Sequence, residues 1–238
     1  MPVKEAAKVF LDAVGADAEG DFETILASRR GVMKPSDAGT VVSKMTGLFK
    51  GQVGAKEAID LVLAASASEG TKDTVTNIVQ GIPKAALGGS QLGASPAATL
   101  ATLTSLSDAM GGNATMAGDR LQAFGIKMKL AGHQGNFVDV MQKIRAMPED
   151  QRAELLGNDQ EINVAYELLN KNEALIRSRT AEAEKASADS RAGRGMGQQK
   201  IEQWQANADT AAIQKAAEAK VARDVALKQT QGVRGAQQ

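Results

Sequence analysis

The sequence predicts an all-α protein, and three observations lead to that prediction. Apolar side chains recur at the 3.6-residue spacing of amphipathic helices. Alternating runs of β-branched residues, which are typical of strands, are nearly absent. Only 5 Pro occur in 238 residues, so long stretches are free to be helical. The clearest apolar stripe consists of Phe137, Val140, Met141, Ile144 and Met147.

The composition excludes several classes of chemistry. The chain has no Cys and one His, which rules out disulfides, cysteine-based zinc sites, thiol catalysis and multi-His metal centres. Lys and Arg number 28 against 28 Asp and Glu, so there is no bulk attraction to nucleic acid or acidic lipid. We therefore expect no metal, no cofactor, no small-molecule substrate and no enzymatic activity.

Helix start and stop signals divide residues 1–157 into about eight or nine short helices, which we expect to form one compact domain. Ser95 is a good N-cap and Pro96 a good first helical residue, and Gly111 stops that helix. Asn136 is likewise predicted to cap the helix that carries the clearest stripe. The predicted helices cover residues 3–14, 22–26, 35–49, 55–67, 71–82, 95–110, 116–130 and 136–147, and another begins at Pro148.

The last third is predicted to be long, extended helices with little apolar surface. We expect one long helix over residues 158–192, a Gly-rich hinge at 193–197, a second long helix over 198–231 and a disordered tail at 232–238. Seven-residue spacing in the first helix is typical of a coiled-coil seam. The predicted interaction residues are Ile162, Leu169, Ile176, Trp204, Ile213, Val221 and Val225.

Two segments resemble binding sites but lack the context that such sites need. The Gly-rich stretch at residues 87–93 has no strand before it and no Lys-Ser/Thr end, so we interpret it as a flexible connector rather than a phosphate loop. Arg191 and Arg194 lie among glycines, with Trp204 nearby, and could contact phosphates. Neighbouring acids offset that charge, so contact with DNA is not supported.

The acidic residues near residue 150 are interpreted as helix caps. Glu149, Asp150, Glu154, Asp159 and Glu161 lie in or near predicted first turns, where carboxylates favour the helix dipole. His133 lies in a predicted loop with no oriented partner.

The uncharged stretch at residues 85–107 contains several Gly and a Pro, so we expect no membrane span. The start of the chain also lacks the apolar region of a signal peptide.

One region resembles the conserved helical part of bacteriophage tail tape measure proteins. The resemblance begins at residues 99–118, where a helix rich in Ala, Thr and Leu meets a glycine turn and a second small-residue helix. It continues through residues 121–128, 135–145 and 150–157, and a long coil follows. Members of that family look like long helical polymers packed inside the tail tube. Their length sets the length of the tail, and they leave ahead of the DNA.

The resemblance implies a virion structural protein, either a tail tape measure or an ejected internal protein. Its partners would be copies of itself and tail tube or baseplate proteins. It would lie inside the tail, and in the host cytoplasm during assembly. Two alternatives stay open: a helical scaffold or adaptor of the bacterial cytoplasm, and a cell-wall-degrading enzyme with Glu149 or Glu154 as its acid.

Overall fold

Residues 35–195 are described by the structure, which is a computed structural model. In that range the chain forms nine α-helices, no strand, and one shared hydrophobic core, which confirms the predicted all-α class. The predicted elements at residues 1–34 and 198–238 lie outside the described residues. The nine helices are α1 Pro35–Leu48, α2 Ala55–Ala67, α3 Val75–Leu92, α4 Pro96–Ala109, α5 Ala114–Leu130, α6 Phe137–Arg145, α7 Glu149–Leu156, α8 Gln160–Lys171 and α9 Glu173–Arg191.

Helix α4 is buried on every side, and its small side chains make that burial feasible. All residues from Pro96 to Ser107 are buried. Several of them are Thr or Ser, whose hydroxyls need hydrogen bonds away from water. Thr102 donates to the carbonyl of Ala98 at 2.7 Å, and Ser105 donates to that of Ala101 at 2.7 Å. These bonds within the helix let α4 occupy the centre of the bundle.

Helices α3 and α5 run parallel and approach so closely that glycine is required where they touch. Gly81 and Gly88 on α3 face Gly118 and Gly125 on α5, and each pair is seven residues apart. A Cβ added to Gly118 would lie 2.6 Å from the carbonyl oxygen of Gly81. A Cβ added to Gly125 would lie 2.6 Å from the Cα of Gly88. Bare backbone on both helices therefore sets this contact.

The prediction of a flexible connector at residues 87–93 is wrong. Helix α3 continues through Gly88 and Gly89 and ends only at Gly93, which has a left-handed φ of 74°. Gly89 packs against the Thr99 side chain of α4. Glycine inside a helix costs about 1 kcal/mol relative to alanine. Here the close packing of neighbouring helices compensates for that cost.

Predictions based on local capping agree with the structure for Ser95 but not for the Asn136 side chain. The helix predicted at residues 55–67 has those bounds, and the Ser95 hydroxyl caps α4 by accepting from the Ala98 amide at 3.1 Å. Asn136 does precede α6, but its side chain makes no cap bond there. Its Oδ1 instead accepts from the backbone N–H of Ser95 at 3.1 Å, which ties the two helix starts together.

The single long helix predicted over residues 158–192 is replaced by two helices that pack on the bundle. Helix α8 ends at Asn172, and the same residue precedes α9. Helix α8 packs mainly against α5, whereas α9 packs against α4 and α2. The described part of this segment is therefore folded into the bundle, because the break at Asn172 gives the two helices different neighbours.

Replacing Gly88 with Ala tests the close contact between α3 and α5. We expect the free energy of unfolding to fall by about 3 kcal/mol, because the new methyl group meets the backbone of Leu121 and Gln122. Gly47→Ala in α1 is the matched control, since a Cβ there meets nothing within 4 Å. It should stabilise the protein by about 0.5 kcal/mol. Equal effects of the two variants in denaturant titrations would contradict the close contact.

Candidate functional site

Helix α9 is the most unusual surface of the bundle, because it is attached mainly through polar side chains. Its buried residues follow spacings of three and four, which places them on one side of the helix. Ile176 is the only large apolar residue among them. We call this set the docking face of α9, and it consists of Ile176, Arg179, Ala183, Ser187 and Ser190.

Arg179 joins α9 to the end of α4. Its side chain is 4% exposed, and its Nη1 donates to Oδ2 of Asp108 at 2.6 Å. Its Nη2 also donates to the carbonyl of Glu69 at 3.3 Å. Asp108 in turn accepts from the Lys72 amide at 2.7 Å and from the Thr71 hydroxyl at 3.2 Å. One buried ion pair therefore holds α9, α4 and the loop between α2 and α3 together.

Asp73 lies beside that ion pair and carries an unfavourable charge. The residue is 5% exposed. Burial raises the pKa of its carboxyl above the ordinary value of 3.8. The Ser107 hydroxyl and Arg179 counteract that rise, whereas the negative charge of Asp108 adds to it. The folded state therefore favours the protonated form of Asp73 more than the unfolded chain does.

Two buried carboxylates on α2 hold the other end of α9. Glu57 accepts from the Ser187 hydroxyl and from Nη2 of Arg191, the latter at 2.8 Å. Asp60 is 1% exposed and accepts from the Ser190 hydroxyl at 2.5 Å. Both carboxylates are buried, so these donors from α9 help to offset the cost of burying their charges.

The first residue of α9 is fixed on α6. Glu173 accepts hydrogen bonds from Gln142, Arg145 and Arg177, with the Arg145 Nη1 at 3.0 Å and the Arg177 Nε at 3.3 Å. Partial burial works against ionisation, but these donors together hold the pKa of Glu173 below its ordinary value. Arg177 also lies 3.6 Å from Oδ1 of Asp139 on α6.

A second surface feature is an open groove of about 510 Å³ where the end of α5 meets α7. Leu130, Met147 and Leu155 supply its apolar wall, and the Leu130 side chain is 82% exposed. His133, in the predicted loop, and Glu154 lie along the same groove. The groove is open to solvent rather than enclosed.

The predicted positions near helix starts hold for Glu149, Asp150, Asp159 and Glu161, but Glu154 lies in the second half of α7. Of these acids, only Asp159 makes a side-chain cap bond. The Asp159 carboxylate accepts from the amides of Glu161 and Ile162 and so caps α8. Glu149 and Asp150 are exposed in the first turn of α7, and Glu161 lies in the first turn of α8. These acids are separate from the buried carboxylates of α2 and α4.

The predicted interaction residues fall into two groups. Ile162, Leu169 and Ile176 are buried, at 5%, 0% and 1% exposure, and this chain's own helices cover them. The other four, Trp204, Ile213, Val221 and Val225, lie outside the described residues.

The sequence analysis missed Arg179, Glu57 and Asp60. Arg179 lies between Ile176 and Ala183 on the helical period, which is a detectable signal for a cation on a buried face. Glu57 and Asp60 flank apolar residues of a strongly predicted helix. Nothing local distinguishes them from solvent-exposed acids.

Comparison of the chain with protein-family models, curated proteins and solved structures found no match. Among residues 35–195, none of the helices has both the length and the apolar character needed to cross a lipid bilayer. Within the same residues, no group of three or more acidic or imidazole side chains is placed to share a metal ion.

Replacing Arg179 with Met tests whether the buried ion pair holds α9 in place. We expect a loss of about 3 kcal/mol in the free energy of unfolding, because Asp108 stays buried without its cation. Arg177→Met is the control, since that side chain is 47% exposed and should cost at most about 1 kcal/mol. A similar small loss in both variants, measured by denaturant titration, would show that Arg179 does not anchor the helix.

Replacing Asp73 with Asn tests the buried charge through its pH dependence. The folded carboxyl holds its proton more tightly than the unfolded one, so the stability of the wild type falls as pH rises from 3.8 through the folded pKa. The Asp73→Asn variant lacks that loss of stability, so its Tm at neutral pH should be higher than that of the wild type. Its advantage should shrink as the pH is lowered toward 3.8.

The exposed Asp150→Asn variant serves as the control for Asp73→Asn. It should show no such advantage at neutral pH. A Tm of Asp73→Asn below that of the wild type at neutral pH would refute the assigned direction.

Proposed function

We propose that this chain is a structural protein of a virion, a tail tape measure or an ejected internal protein, which acts by helical packing. One observation carries the proposal. The residues that carry the tape-measure resemblance correspond to consecutive helices, from α4 through α7. The expected glycine turn is formed by Gly111 and Gly112, whose φ angles are 74° and 88°. The agreement of these elements with the pattern supports the proposal.

We propose that residues 198–231 form the extended part of the molecule. In this proposal the bundle at residues 35–195 is the head, and the Ala/Gln-rich segment after it associates with copies of itself and with tail tube or baseplate proteins. The protein would lie inside the tail, and in the host cytoplasm during assembly. A narrow apolar stripe with Ile213, Val221 and Val225 supports association over independent folding.

A helical scaffold or adaptor of the bacterial cytoplasm is the second candidate. The groove between α5 and α7 favours it, because Leu130 is 82% exposed beside Met147 and Leu155. Exposed apolar patches of this kind commonly mark contacts between proteins. This candidate and the virion protein differ in one simple respect, namely whether the chain is present in purified particles.

An in-frame deletion of residues 200–227 in the virus that carries this gene tests the tape-measure role. If this segment is helical in the tail, the tail should shorten by about 42 Å, since a helix rises about 1.5 Å per residue. Tail length is measured by electron microscopy, and mass spectrometry of purified particles shows whether the chain is present. A scrambled segment of the same length and composition is the control and should preserve tail length.

Three outcomes of the deletion experiment separate the candidates. A shortened tail supports a tape measure. A chain that is present in particles with unchanged tails supports an ejected internal protein. A chain that is missing from particles contradicts both and favours the scaffold.

A further inference from the structure

We infer that α9 is an exchangeable helix, which can leave its own bundle and occupy the same site on a second copy of the chain. The inference rests on the proposed function, in which copies of the chain associate, and exchange of α9 is one way for them to do so. Two features carry it. A single residue, Asn172, joins α9 to α8, and the docking face of α9 is held by polar contacts that a second copy could supply unchanged.

The joint at Asn172 needs little change to become straight. Its φ and ψ are −106° and 13°, which differ from the values of an α-helix by about 43° and 55°. Rotation at this residue would join α8 and α9 into one helix over residues 160–191, about 48 Å long. That helix would carry α9 away from the bundle that α8 still contacts. A short joint of this kind favours exchange between copies over independent motion of the helix.

The seven-residue pattern fits such a straight helix. Ile162, Leu169, Ile176 and Ala183 are each seven residues apart and would share one side of it. In the closed bundle the first two contact the core below α8, and the last two contact the core below α9. The pattern is therefore compatible with both the closed bundle and the straight helix.

The site that α9 occupies is chemically specific for α9 itself. Its walls present the carboxylates of Glu57, Asp60 and Asp108, each of which accepts from an α9 donor. An open monomer would lose the hydrogen bonds and ion pairs that α9 supplies to these carboxylates, which is unfavourable. A second copy of α9 carries the matching guanidinium and hydroxyl groups at the same spacing. The occupant of an opened site is therefore the α9 of another copy.

A matched pair of substitutions at Asn172 tests the joint. Alanine favours a continuous helix and glycine opposes it, and both remove the same side-chain bond to the Leu168 carbonyl. We expect the full-length Asn172→Ala protein to dimerise about 30-fold more tightly than Asn172→Gly, since each of two joints contributes about fivefold. The proteins are refolded at high concentration and measured by sedimentation equilibrium. Equal affinities, or monomers in both cases, would overturn the inference.

A charge exchange tests the occupant directly. Glu57→Arg places two cations together at the α2 end of the site, and Arg191→Glu places two anions there. The same repulsion is present in the closed monomer and in an exchanged homodimer of either variant, so neither substitution alone favours exchange. In a mixed dimer with exchanged α9 helices, one site joins the two substituted residues and the other restores the wild-type pair. We expect the refolded mixture to form that heterodimer.

The two tests distinguish failure of this inference from failure of the proposed function. A mixture that contains no heterodimer shows that α9 does not exchange, whatever the result in virus particles. A chain missing from particles contradicts the virion role, but a heterodimer would still establish the exchange. Dimers formed as tightly by each variant alone as by the mixture would show association through another surface and would also overturn the inference.

Discussion

Close backbone contact between α3 and α5 is the constraint on which the rest of the bundle depends. Two glycines on each helix, seven residues apart, remove the side chains that would separate the helices. In this geometry a glycine hydrogen points to a carbonyl of the facing helix, as in a Cα–H···O contact. Helix α4 connects these two parallel helices, and its residues from Pro96 to Ser107 are buried. Its small Ala, Thr and Ser side chains make that burial feasible.

The attachment of α9 follows a different principle from the packing of α3, α4 and α5. Small apolar surfaces interlock in the centre, whereas α9 is held by Arg179 and by the carboxylates of α2. Buried ion pairs add little net stability relative to apolar packing, but they penalise a wrong partner strongly. A helix attached in this way is selective about what it binds, because only a segment with matching donors satisfies the carboxylates of the site. That selectivity connects the fold to the proposed role in assembly.

Only part of the candidate site could be predicted from the sequence. The seven-residue spacing predicted Ile162, Leu169 and Ile176 as interaction residues, but it did not indicate which surface covers them. The described structure places them against this chain's own core. Arg179 interrupts the same pattern and was passed over, because its partner Asp108 lies 71 residues away. The virion role stays a proposal that rests on the pattern of α4 to α7.

Local chemistry in the sequence was sufficient to determine the all-α class and several helix ends. Ser95 and Pro96 start α4 through bonds and backbone angles confined to neighbouring residues, so no distant contact is needed to predict them. Tertiary structure alone decided that Gly88 and Gly89 belong inside α3, since the reason for those glycines lies on α5 and α4. It also decided where α9 packs after the break at Asn172, because Glu57, which accepts hydrogen bonds from Arg191, lies 134 residues away in the sequence.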